Sequence, residues 1–183
     1  MKLIELLSSP VDDLYPEMIL MTDSSISSQG KPVFVPELSN EWVCRFAPVF
    51  RIGRLGKTIS RRFASRYVDA VAMSARLVPL EMEATTLRLS PWATAFDGAI
   101  SIGRFVNPET ANRFEVSVEN RKLDGKVADR DIDRAIELIS RYFILKNGDL
   151  IIPYGPRVEL PVSIDNKVEA SLDGTLNLKF NVK

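Results

Sequence analysis

Histidine is absent from this 183-residue sequence, and cysteine occurs once, at Cys44. No Ser-His-Asp triad, Cys-His pair or imidazole metal ligand can therefore form. No intramolecular disulfide and no cysteine-based zinc site is possible either. Acid-base chemistry is left to carboxylates, Lys, Tyr or the one thiol. Net charge is lacking too, because 24 Lys plus Arg balance 24 Asp plus Glu. That removes the electrostatic case for nucleic acid or an anionic membrane as partner. Near-neutrality tolerates self-association. Long apolar runs are missing: MKLIELLSSPVDD is too short for a signal peptide, and no later stretch reads as a bilayer span. A lone cysteine suits a reducing compartment, and the expected localisation is cytoplasmic. No GxGxxG, P-loop or nucleophile elbow is present.

What is there suits one domain with a sizeable core: 45% apolar and 26% charged residues. A single domain over 1–183 is expected, with a shortened, irregular segment at 1–31. That segment is broken by Pro10 and Pro16, and its DSSISSQGK (Asp23 to Lys31) reads as a turn. PVFVP (Pro32 to Pro36) reads as an edge strand. EWVCRFAPVFRIGRLGK (Glu41 to Lys57) alternates as a longer strand interrupted at Pro48. One face carries Trp42, Cys44, Phe46, Phe50 and Ile52; the other carries Val43, Arg45, Ala47, Val49 and Arg51. Thr58 to Tyr67 reads as a short helix capped by Thr58. Val68 to Val78 reads as a central strand stopped by Pro79. Ala99 to Val106 and Arg113 to Leu123 read as two more strands. Ile132, Ala135, Ile136, Ile139 and Phe143 follow helical spacing, with Asp129, Asp131 and Asp133 near the start of that helix. The remainder is β-rich, with turns at Asp165-Asn166 and Asp173-Gly174. The expected class is α+β, mostly β, with two or three short helices.

Chemistry is sparse in the residues themselves. Cys44, beside Trp42 and Phe46, reads as a buried, inert thiol. Glu81 and Glu83 could seed a metal site but suit a solvated helix face better. The basic run Arg54 to Arg62 could bind phosphate but reads as ordinary surface.

Several stretches, in order, resemble the fumarylacetoacetate hydrolase family, which includes acylpyruvate hydrolases and related isomerases and decarboxylases. FRIGRLGKTISRRFASRYVDAVAMSAR is similar to the family's strand, turn, helix and strand. SPWATAFDGAISIGRFV matches at Pro91, Trp92, Phe96, Asp97, Gly98 and Gly103. ISRYFILKNGDLI matches at Ile139, Ser140, Leu145, Lys146, Gly148 and Asp149. The resemblance runs over about residues 18–180. It implies a rolled or barrel-like mixed sheet, a homodimer, and Mg²⁺ or Mn²⁺ held by carboxylates for work on 2-oxo or 1,3-dioxo acids.

Carried over residue by residue, that pattern meets changes. Its three metal-ligating carboxylates fall at Arg45, Ala47 and Arg76, and its histidine at Val43. The motif after the third ligand becomes Val78, Pro79, Leu80 and Glu81. One lysine falls near Met21 and another has no counterpart. The substrate-facing loop reads PYGP, Pro153 to Pro156. No bound metal is therefore expected. Arg45 and Arg76 become candidate binding groups for a small carboxylate or phosphate. Alternatively they fill the old site by pairing with Glu81, Glu83 or Asp97. The first functional expectation is a non-catalytic binding or scaffold protein. The alternative is a metal-independent enzyme on 2-oxo or 1,3-dioxo acids, a tautomerase, decarboxylase or hydrolase. In it Arg45 and Arg76 grip the substrate carboxylate, and Glu81 or Tyr154 moves the proton. A metal hydrolase with ligands elsewhere is the third.

Overall fold

The computed structural model describes residues 1–10, 15–27 and 30–183. Strands and helices are numbered in chain order. The larger sheet holds β1 (Lys2–Leu6), β2 (Met18–Thr22), β3 (Ile26–Ser27), β4 (Trp42–Ile52), β5 (Val68–Pro79), β6 (Ile100–Ile102), β9 (Leu150–Ile152) and β10 (Val158–Val162). Its order is β2-β1-β9-β4-β5-β6-β3, with β10 also on β4. The second sheet holds β7 (Arg113–Val118), β8 (Arg121–Lys126), β11 (Lys167–Leu172) and β12 (Thr175–Asn181), in the order β12-β11-β7-β8. The helices are short: α1 (Arg61–Ala64), α2 (Leu80–Glu83), α3 (Pro91–Thr94) and α4 (Ile132–Tyr142). The molecule is mostly β, with a curled mixed sheet, as the resemblance implies.

Strand β4 explains the two faces of its sequence, because both are buried except at Arg51. Trp42, Cys44, Phe46 and Phe50 meet Phe114, Val116, Val168 and Phe180 of the second sheet. Ala47 and Val49 pack with Leu3, Met21, Ala72 and Ile100 inside the curl of the first. Each fully buried Val, Leu, Ile, Phe or Met among them contributes about 1.5–3 kcal/mol. A third cluster seats α4 through Ala135, Ile136 and Ile139 on Ile4, Leu6, Ile52 and Ile151.

Several local expectations change. Pro48 does not interrupt β4, which pairs with β5 from Trp42 to Ile52. Its partner Met73 turns its own backbone groups toward Asn177 and Gly103 instead. On the other edge, β10 reaches only Phe46 and β9 starts at Phe50. The proline's missing N–H thus falls in a gap where no ladder bond is lost. Thr58 does not cap α1: Ser60 occupies the cap position and Thr58 has φ +54°. The stretch Arg113 to Leu123 is not one strand but the β7–β8 hairpin, turning at Glu119 with φ +52°. Pro32 to Pro36 forms no strand and runs beside β12 through a single Val33–Val182 bridge. Part of the segment 1–31 is regular: β1 lies between β2 and β9 in the larger sheet. Of the turn read at Asp23 to Lys31, Ser28 and Gln29 lie outside the described residues.

Candidate functional site

The antiparallel register sets Arg45 of β4 directly opposite Arg76 of β5. Like charges so placed repel, and three carboxylates offset them. Glu159, across from Arg45 on β10, accepts from its Nε at 2.9 Å and Nη2 at 2.7 Å. Glu83 of α2 accepts from the same Nη2 at 2.9 Å. Glu5 of β1 accepts from Arg76 Nε at 2.7 Å through Oε2, while its Oε1 stands 3.4 Å from Nη2. Burial alone would lower the Arg45 pKa, but Glu159 and Glu83 more than offset this and raise it. The filling expected with Glu83 is therefore present, joined by Glu159 and Glu5. Glu81 instead accepts from Asn40, and Asp97 is exposed. The pair Glu81 and Glu83 is split, since residues two apart on a helix do not share a face.

A cleft of about 610 Å³ opens over one end of this layer. Glu5, Arg45 and Ala47 line it from the strands, Asp129 to Asp131 and Arg134 from the start of α4, and Tyr154 to Arg157 from the loop before β10. Arg45 thus faces the cleft, and its Nη1 makes no hydrogen bond to the described residues. Arg76 does not line it and meets only a crevice of about 20 Å³. Arg130 donates to the carbonyls of Pro153 at 2.6 Å and Pro156 at 2.8 Å. Burial lowers its pKa, opposed by the charges of Glu5 and Asp129.

The donor set does not suit a divalent cation. Among the described residues no three His, Cys, Asp or Glu side chains gather as a metal would need. Two of the three implied ligand positions carry guanidinium groups and the third a methyl. Cys44 is fully buried, and burial pushes its thiol well above the ordinary range, with Arg76 opposing. It is not a nucleophile.

Sequence reading found Arg45, Arg76 and Tyr154 but missed Glu5, Arg130 and Arg157. Glu5 left one signal, a lone carboxylate among Leu3, Ile4 and Leu6 on a strand whose only other charge is Lys2. Arg130 left none, being one more charge at the start of a helix.

No family model matches the chain. Among curated proteins it is similar to the mitochondrial oxaloacetate tautomerase FAHD1 of Mus musculus, 26% identical over 182 residues, covering 92% of this chain and 81% of that protein. It is also similar to the Caenorhabditis elegans mitochondrial oxaloacetate tautomerase fahd-1, again 26% identical, covering 92% and 84%. Among solved structures, 5-carboxymethyl-2-hydroxymuconate delta-isomerase from Mycobacterium smegmatis shares the fold with TM-score 0.86 at 16% identity, covering 99% of this chain and 78% of that one. Fumarylpyruvate hydrolase from Pseudomonas aeruginosa, in complex with Mn²⁺ and pyruvate, does so with TM-score 0.84 at 15% identity, covering 99% and 88%. The expected non-catalytic binding or scaffold role is corrected by these likenesses. Proteins named as tautomerases, an isomerase and a hydrolase match along nearly the whole chain, and altered ligand positions alone do not outweigh that. In fold, and in sequence over 92% of its length, the chain is similar to these enzymes, in line with its resemblance to the fumarylacetoacetate hydrolase family.

Proposed function

We propose that this chain is a metal-independent tautomerase of small 2-oxo acids. One observation carries the reading: guanidinium groups, a buried carboxylate and a phenol converge on one cleft, and among the described residues no ligand set for a metal stands beside them. Tautomerisation moves one proton between carbon and oxygen. It needs a base, an acid and a stabiliser of enolate charge, but no activated water. Hydrolysis does need that water, and arginine cannot generate it as a metal does. The third reading, a hydrolase with its metal ligands elsewhere, finds no supporting donor set among the described residues.

In this reading Glu5 is the base. Arg76 holds its Oε2 closely and leaves Oε1 more loosely held. Arg76 thereby positions Glu5 and Arg45 binds the substrate carboxylate. Glu81 drops out, because its carboxylate lies on Asn40. Tyr154, exposed on the cleft loop, is in this reading the acid that protonates the carbonyl oxygen. A homodimer and a cytoplasmic setting belong to the same proposal. The first rests on the resemblance. The second rests on the lone buried thiol, although the matched animal relatives are named as mitochondrial.

The test is enol-to-keto conversion of oxaloacetate by EDTA-treated protein. Conversion above the buffer rate is expected, falling roughly 100-fold or more in Glu5→Gln, the usual scale for losing a general base. Circular dichroism checks that the variant is folded. Conversion that appears only on adding Mg²⁺ or Mn²⁺, or none at all, overturns the proposal.

A further inference from the structure

Four arginines reach the cleft, and their charges are not equally spent. Arg45 lies between Glu83 and Glu159. Arg134 pairs with Glu137 at 2.7 Å. Arg157 is mostly exposed and stands within 4.0 Å of Glu83 and Glu159. Arg130 differs from all three. Among the described residues no carboxylate comes within ion-pair distance of it, and its hydrogen-bond partners are two neutral carbonyls. Those bonds use one N–H on each Nη and leave three of the five guanidinium donors unspent.

The loop over Arg130 is shaped to it. A side-chain carbon on Gly155 would fall 2.6 Å from Arg130 Cγ and 3.3 Å from its Cζ and Nε. Only glycine lets the backbone lie on the guanidinium this closely. Held at two carbonyls and roofed by Gly155, the group is fixed before any ligand arrives, which lowers the ordering cost of binding. A half-buried cation whose nearest partners are neutral carbonyls, with Glu5 and Asp129 acting only from beyond ion-pair distance, is completed favourably by an anion.

We propose that Arg130 is the principal anion-binding group of the cleft, and that the group it takes is a single planar carboxylate of the ligand rather than a dianionic phosphate. A fork of N–H donors matches the two oxygens of a carboxylate. Glu5, Asp129 and Asp131 also line the cleft, so a dianionic phosphate meets more repulsion than a single carboxylate does. The assignment deepens the tautomerase reading, on which it rests for the oxo-acid class. It gives Arg45, whose charge is already met, the lesser share of the substrate.

The probe is oxamate, a monoanionic 2-oxo acid mimic, titrated calorimetrically against inorganic phosphate. Wild-type protein binds oxamate more tightly than phosphate. Arg130→Gln weakens oxamate roughly ten-fold or more, the scale of one charge-assisted hydrogen bond. Gly155→Ala keeps the charge but displaces the guanidinium, and weakens oxamate several-fold. Arg104→Gln, outside the cleft, changes nothing. Thermal melts without ligand show that each variant is folded. Equal oxamate affinity in wild type and Arg130→Gln overturns the assignment, as does tighter binding of phosphate by wild type. Arg130-dependent binding without turnover keeps this inference and removes the tautomerase reading; turnover with Arg130-independent binding does the reverse.

Discussion

The pair Glu5 and Arg76 is the least exposed ion pair among the described residues, with side chains 7% and 4% accessible. Breaking such a pair from one side strands a charge that is largely shielded from water. Arg76→Met should therefore cost about 3–5 kcal/mol, read by urea unfolding. Adding Glu5→Leu should restore most of that loss, because the second change removes the stranded carboxylate. A double variant as unstable as the single one would show that the side chains matter for packing rather than charge. The two arginines were legible in the sequence, since the family's spacing puts both on strands that pair. Their partners were not. Glu5 is 71 positions from Arg76, and Glu159 is 114 from Arg45. Only the sheet order brings them together, and nothing local in KLIEL or RVELP encodes it.

At the scale of elements, the parallel pair β1–β9 is pinned by one carboxylate. Asp149 accepts from the backbone N–H of Lys2 at 3.1 Å and of Lys146 at 2.7 Å, and also pairs with the Lys2 ammonium. Burial would raise its pKa, but Lys2 and the two N–H groups outweigh burial and hold it below the usual carboxylate range. With the folded value under the unfolded one of about 3.9, the folded state binds fewer protons. The contribution of Asp149 is thus complete above about pH 4 and lost as pH falls through the folded value. Asp149→Asn should lower stability at neutral pH, and its gap to wild type should close on acidification. Denaturant unfolding across an acid series measures this, and a gap independent of pH would contradict it. The Asn-Gly-Asp signature was readable as a turn, and its aspartate proves to tie the turn to the first strand. The Asp173-Gly174 hairpin was equally readable: both residues have positive φ, 45° and 79°, as a tight two-residue turn requires. The hairpin at Glu119 was not, because no glycine marks it.

For the molecule as a whole, the mostly-β class and the curled sheet were legible, but the joint between the two sheets was not. Gly103 was matched only as a family glycine. Its reason is a close approach: a Cβ there would fall 2.2 Å from Asn177 Oδ1 and 2.5 Å from its carbonyl oxygen. Asn177 of β12 crosses to the larger sheet, where its Oδ1 accepts from Met73 N at 2.8 Å. Its Nδ2 donates to Arg104 O at 2.7 Å, and Arg104 N returns a bond to its backbone. The side chain is 4% exposed. Asn177→Leu keeps the bulk but leaves the Met73 N–H and the Arg104 carbonyl without these partners. At about 1–3 kcal/mol for each buried group left unpaired, the loss should be on the order of 2–5 kcal/mol. The apolar layer between the sheets, from Phe46 and Phe50 to Phe114 and Phe180, still holds them as one cooperative unit. The urea midpoint should therefore fall while the transition stays single and its slope unchanged. A two-step transition in the variant would mean that Asn177, rather than the shared core, makes the sheets unfold together.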